Sequence, residues 1–229
     1  MNLFDSLIVL IILIVFSLIS YRKKSLDAVG TVIAVVVGAV TFYLGGLAYF
    51  FVMVVFFVTA ESCTRFARRE LKEKSEKRTT GNILGNSGAA LIGLFLGYPI
   101  AFFGAIATAL ADTVSSELGM LSPHKPRLIT NLKEVEPGTD GGVTLLGLAS
   151  AIIGASIVAM LYFAINGLAN PGGLVLITFS GFFGSVIDSV LGAVFERRGW
   201  LNNTGVNFLA SASGAVLAVV FAGFFGIFL

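Results

Sequence analysis

One cysteine, Cys63, leaves no partner for a disulfide within the chain. One histidine, His124, with no cysteine pair beside it, argues against a zinc site. A nucleophilic triad would have to be built on His124, which sits between two prolines in a polar loop. Charge is scarce as well. Only 12% of residues are charged, where a soluble domain carries about 25%. The first apolar run follows Asp5 rather than a basic segment, and no small-residue cleavage site follows it. It reads as a retained helix, not a cleaved leader. The net charge of +2 says little, because the distribution of the charges is what matters, and no nucleic-acid partner is expected.

What the chain has instead is long apolar sequence, at 56% hydrophobic residues. Its runs reach the roughly 17–25 residues that a membrane crossing needs. The runs are about residues 3–20, 28–43, 47–64, 83–96, 100–118, 143–165, 174–195 and 206–229. The third is expected to continue as a helix through Arg69 into the charged run ending at Arg78. The expected fold class is all-α: a polytopic membrane bundle of about eight transmembrane helices, some arranged as repeated hairpins. The 15 basic residues test that number. They fall after runs one, three, five and seven, and the other gaps hold none. The positive-inside rule then places the odd gaps in the cytoplasm and both termini outside.

The acids follow the basic residues, so chemistry is expected at the cytoplasmic helix ends. The richest stretch is residues 111–142. Three successive helix pairs share one design. Glu61, Arg65 and Arg69 face Asn82 and Asn86. Asp112, Ser115, Ser116 and Glu117 face Thr139, Asp140 and Thr144. Asp188, Ser189 and Glu196 face Asn202, Asn203 and Asn207. An ionised Asp inside a span costs about 2.5–3.5 kcal/mol on insertion scales, so Asp112 and Asp188 need a partner or a wet cavity. Their oxygen ligands, with neighbouring hydroxyls, suit Mg²⁺ completed by substrate phosphates. Glu61, Arg65 and Arg69 lie at i, i+4 and i+8, one helix face, and an Arg fork suits phosphate. The glycine turn Thr139-Asp140-Gly141-Gly142 opens the sixth helix, where anions are favoured. It is not a Walker A loop. Blander roles also fit. The acids could bond nearby hydroxyls, the arginines could close ion pairs, and the asparagines could cap or glue helices.

These residues fall in blocks that resemble the transmembrane protein 19 family. The blocks are G-N-I-L-G-N-S (81–87), A-D-T-V-S-S-E-L-G (111–119), P-R-L-I-T (126–130), V-E-P-G-T-D-G-G-V-T-L-L-G (135–147) and G-S-V-I-D-S-V-L-G-A (184–193). That family includes the plant plastid phytyl-phosphate kinase. The resemblance covers Glu61 onward and divides the chain into N-terminal transmembrane helices, 1–60, and a catalytic core, 61–229. It implies an integral-membrane kinase that moves a phosphoryl group from a nucleoside triphosphate, with CTP the expected donor, to a phytyl or other prenyl monophosphate. The product is the diphosphate. On this reading Asp112, Glu117 and Asp188 hold Mg²⁺, and Arg65, Arg69 and Lys133 neutralise phosphate. Asn82, Asn86, Thr139, Asp140, Gly141, Gly142, Asn203 and Asn207 position nucleotide and acceptor, with Ser115, Ser116 and Ser189 beside the acids. The partners are the nucleotide, the prenyl monophosphate and the bilayer, and self-association is open. The alternatives are a membrane cytidylyltransferase, a lipid-alcohol kinase or an ion-coupled transporter.

Overall fold

The computed structural model describes residues 3–23, 25–72, 80–166 and 171–226. The expected helical extension through Lys74, Lys77 and Arg78 and part of the turn after Asn166 lie outside the described residues. The chain is a polytopic helical membrane protein. Seven α-helices are described: α1 (Leu3–Lys23), α2 (Ala28–Glu70), α3 (Thr80–Phe95), α4 (Pro99–Gly119), α5 (Leu145–Asn166), α6 (Pro171–Leu191) and α7 (Asn203–Phe225). Six of them are long and apolar enough to cross a membrane. At 16 residues α3 rises about 24 Å, short of the roughly 30 Å hydrocarbon core.

Eight apolar segments become seven helices because α2 merges the second and third. It does not run straight. Gly46 has φ 80° and ψ −171°, a conformation essentially restricted to glycine. Arg65 Nη2 donates to Ser25 Oγ at 2.7 Å, across a separation of 40 residues. A straight helix would put those residues about 60 Å apart. The two arms of α2 therefore fold back on each other, and the Phe50 ring packs beside Gly38. The break falls in the expected glycine turn.

The helix α4 is the centre of the bundle. Of its apolar window 78% is buried, against at most 39% in the other spans. Many of its side chains are small (Ala101, Ala105, Ala107, Ala109, Ala111), so neighbours come close there. Gly104 lies against the Gly214 carbonyl and Ala218 of α7. Gly184 of α6 and Gly214 of α7 both press on Thr108. By contrast α1 packs chiefly on α2, and most of its apolar side chains are exposed, as lipid-facing residues are.

The two ends of the bundle differ. At one end buried Phe102, Phe103 and Tyr162 and partly buried Tyr49 form an aromatic cluster, with ring centroids 5.0–5.4 Å apart. At the other end the basic gaps meet. Ser25 reaches Arg65, Arg68 reaches Glu117 at 3.7 Å, and Asn82 reaches Asn203 at 3.1 Å. Four gaps far apart in sequence thus share one end, as the charge pattern requires.

Candidate functional site

The polar end is built by three hairpins. Helix α4 carries Asp112 inward, where its carboxyl comes within hydrogen-bonding reach of Asp188 on α6. Two carboxyls this close need a proton or a cation between them. Asp188 Oδ2 is buried and has no hydrogen-bond partner. Glu196 acts electrostatically on both acids, and Asp140 on Asp188. Glu196 is placed by a π-helical turn, Gly192–Glu196, that ends α6. Such turns widen a helix by one residue and re-aim the side chains that follow.

Beside this pair lies a cleft of about 210 Å³. Thr64 and Arg68 of α2 form one wall, and Asn82 and Asn86 of α3 another. Asp112, Thr113, Ser116 and Glu117 come from α4, and Asn203 and Asn207 from α7. The Asn203 side-chain oxygen Oδ1 accepts from Asn82 Nδ2 at 3.1 Å and from Asn207 Nδ2 at 3.3 Å. This amide cluster fixes α3 to α7 and presents polar groups to the cleft. Arg68 is the cleft's cation, drawn in by Glu117 at 3.7 Å.

The loop between α4 and α5 is folded. Its strands β1 (Arg127–Leu128) and β2 (Gly142–Val143) pair antiparallel. A bridge joins Arg127 to Glu134, and ion pairs join Lys125 to Glu136 at 2.9 Å and Arg127 to Glu134 at 3.5 Å. The Glu136 carboxylate raises the Lys125 ammonium above its ordinary pKa. Gly141, at φ 75°, anchors the loop against the Ser189 carbonyl and the Ala193 backbone. A side chain there would collide with backbone atoms, so the close approach of loop to α6 requires glycine. Thr139 Oγ1 donates to the Glu136 carbonyl at 2.6 Å, and the Thr139 carbonyl accepts from Gly142 at 2.9 Å.

The expected residues separate into groups. Asp112 and Asp188 meet, and Asn82, Asn86, Asn203, Asn207, Ser116 and Glu117 line the cleft. Glu117 was expected beside Asp112 as a metal ligand; the structure pairs it with Arg68. Ser115 turns toward Gly147 of α5, and the Ser116 hydroxyl bonds the Asp112 carbonyl at 2.6 Å. Ser189 meets the loop through its carbonyl. Arg65 points to Ser25 and Glu61, away from the cleft lining. Arg69 and Lys133 are exposed outside that lining. Sequence reasoning missed Arg68, Thr64 and Thr113 as cleft residues. A signal existed: the small residues Ala60, Thr64 and Ala67 mark the buried face of α2, and Arg68 is one turn beyond Thr64.

Among the described residues no three His, Cys, Asp or Glu side chains are grouped to hold a metal. The Asp112–Asp188 pair nonetheless fits Mg²⁺. That ion takes one or two carboxylates and completes its shell with water and phosphate. An oxygen of Asp188 buried without a hydrogen-bond partner is the donor such an ion would use.

Known proteins share this chain's pattern. The family model described as "Integral membrane protein DUF92" matches residues 11–215. It reaches back into α1, beyond the start of the resemblance at Glu61. The "Uncharacterized membrane protein MJ0933" of Methanocaldococcus jannaschii is 33% identical over 222 residues, 92% of each chain. "Protein PGR" of Arabidopsis thaliana is 34% identical over 79% of this chain and 75% of its own. "Protein VTE6, chloroplastic", also from Arabidopsis thaliana, is 26% identical over 87% of this chain and 66% of its own. No solved structure matches the chain.

Proposed function

From its place in the integral membrane protein family DUF92, to which this chain belongs, we propose that it is a membrane-embedded kinase for isoprenoid monophosphates. It takes the terminal phosphoryl group of a nucleoside triphosphate, with CTP the expected donor, and forms a prenyl diphosphate. The observation that carries this reading is the meeting of Asp112 and Asp188 beside a cleft holding Arg68 and four asparagines, at the basic end of the bundle. The resemblance to the transmembrane protein 19 family, which includes a plastid phytyl-phosphate kinase, supports the substrate class.

Phosphoryl transfer asks little covalent chemistry of a protein; it asks for position and charge. An oxygen of the acceptor monophosphate forms a bond to the donor's terminal phosphorus. The bond from that phosphorus to the bridging oxygen breaks, and the nucleoside diphosphate leaves. The acceptor oxygen is already ionised, so no strong base is required. Arg68 faces the charge that builds on the transferred group. The Asn82, Asn86, Asn203 and Asn207 amides donate to phosphate or ribose oxygens and fix the line of transfer. Asp112 and Asp188 would hold Mg²⁺, which when bound would neutralise charge on the donor phosphates. A cleft of 210 Å³ suits phosphate groups and leaves the base at its mouth, since whole-ligand sites run to about 300–1,000 Å³. The loop carrying Asp140, Gly141 and Gly142 packs against Ala193 and Ser189, the latter next to Asp188 in sequence. The positive-inside rule puts this end in the cytoplasm, where nucleotide is available.

The test uses purified protein, Mg²⁺, labelled nucleoside triphosphates and a panel of prenyl monophosphates. Prenyl diphosphate with nucleoside diphosphate release is expected. Pyrophosphate release instead means nucleotidyl transfer and overturns the reading, as does the absence of any product.

A further inference from the structure

At Asn82 and Asn86 the cleft adjoins a second, larger cavity of about 490 Å³. Helix α1, both arms of α2 and the start of α3 line it, and it is open on one side. Its wall is graded along the bundle axis. The deep part is apolar, with Ile11, Val37, Phe50 and Phe57 among its residues. The upper part carries Ser25, Glu61 and Arg65 and ends on the shared asparagines. Arg65 is held at that rim by Glu61 at 2.6 Å and Ser25 at 2.7 Å. From Phe50 to Arg65 the helix rises about 22 Å, most of the depth of the hydrocarbon core.

Resting on the kinase reading above, we infer that this cavity seats the acceptor's isoprenoid tail, so that α1 and the first arm of α2 set the chain length the enzyme accepts. Two features select a phosphate-headed single chain as the occupant. The apolar depth suits a hydrocarbon tail, and the rim shares Asn82 and Asn86 with the cleft where the phosphate head would react. A tail lying in the cavity brings its monophosphate to Asn82 and Asn86, while a tail free in the bilayer would not be aimed at them. The N-terminal hairpin then has a task that its apolar sequence alone does not disclose. The edge-to-face contact of Phe16 with Phe57, at 4.6 Å, ties α1 to the second arm of α2 beside the cavity.

The experiment measures kcat/KM of the full chain in lipid nanodiscs for geranyl, farnesyl and geranylgeranyl monophosphate. The expected KM falls as the chain lengthens and then levels once the tail fills the cavity. Ala34→Trp narrows the cavity and is expected to lower the geranylgeranyl-to-geranyl ratio of kcat/KM at least about tenfold, the scale of shape discrimination in an apolar pocket. Phe57→Ala opens the cavity and is expected to raise that ratio, and it carries the test if the tryptophan variant does not fold. Equal KM for all chains, with the ratio unmoved by either change, overturns the assignment and leaves the kinase reading standing; the cavity then holds only bilayer lipid. If the unmodified protein phosphorylates no prenyl monophosphate, the kinase reading fails and the tail assignment fails with it.

Discussion

Two aspartates on different helices come together inside a largely apolar bundle, and on the proposed function they act as one unit. Asp112→Asn or Asp188→Asn keeps the shape but removes one charge from the pair. Each is predicted to cut kcat/KM by about a hundredfold or more, the scale of losing one preorganised charge-stabilising group. The double variant is expected to cost little more than either single one, because the two act as a unit. Initial rates across a Mg²⁺ titration check this, and additive losses would show that the acids work separately. The arginines divide sharply. Arg68→Ala is predicted to lower turnover strongly, since it lines the cleft, while Arg69→Ala, exposed outside the cleft lining, changes it little. The sequence pointed to Asp112 and Asp188 because a buried charge is costly and therefore meaningful. It pointed away from Arg68 because Glu61, Arg65 and Arg69 formed the more regular stripe. Which stripe faces α4 is set by how α2 is rotated in the bundle, and periodicity alone leaves that rotation open.

Two glycines define how the elements are joined, and they fail differently. Gly46 has positive φ and open space around it. Its replacement by Ala meets no neighbour and bears only backbone strain, about 1–3 kcal/mol. Thermal unfolding in detergent should show a modestly lower midpoint with the hairpin intact. Gly141 bears strain and collision together, because a Cβ there meets the Ala193 and Ser189 backbones. Gly141→Ala should release the loop from α6, seen as faster proteolysis between Ser122 and Asp140. Activity should fall with it; unchanged cleavage would show that the contact does not hold the loop down. Helix ends were legible to within a few residues, since apolar runs and turn residues are local signals. The β1–β2 ladder and the π-helical turn were not. The ladder pairs residues about fifteen apart within the loop, and the π-helical turn packs at Gly192 against Asp140 and Gly141, so neither follows from a local signal.

At the scale of the molecule, the bundle has a polar end and an aromatic end, and the charge pattern assigns their sides. In a Cys63→Ala background, His124→Cys is predicted to react with a membrane-impermeant thiol reagent from the cytoplasmic side only. Tyr98→Cys, beside the turn between α3 and α4, should react from the other side only. Labelling of both from one face would break the topology and the proposed position of the site with it. This arrangement also explains why α4 is the axis. Its alanines and Gly104 let α7 approach to backbone contact, and α5 and α6 close in around it, which is how Asp112 comes to face Asp188.

By itself the amino-acid sequence determined the membrane class, the order of apolar segments, the shared side of the basic gaps and which acids lie inside the spans. Those follow from the cost of placing charge and unpaired backbone in hydrocarbon, which each segment meets alone. Only the tertiary structure decided that α2 doubles back to join Ser25 to Arg65, that Arg68 rather than Arg69 enters the cleft, and that Glu117 answers Arg68. Those depend on helix rotation and close packing, which arise only when several segments are present together.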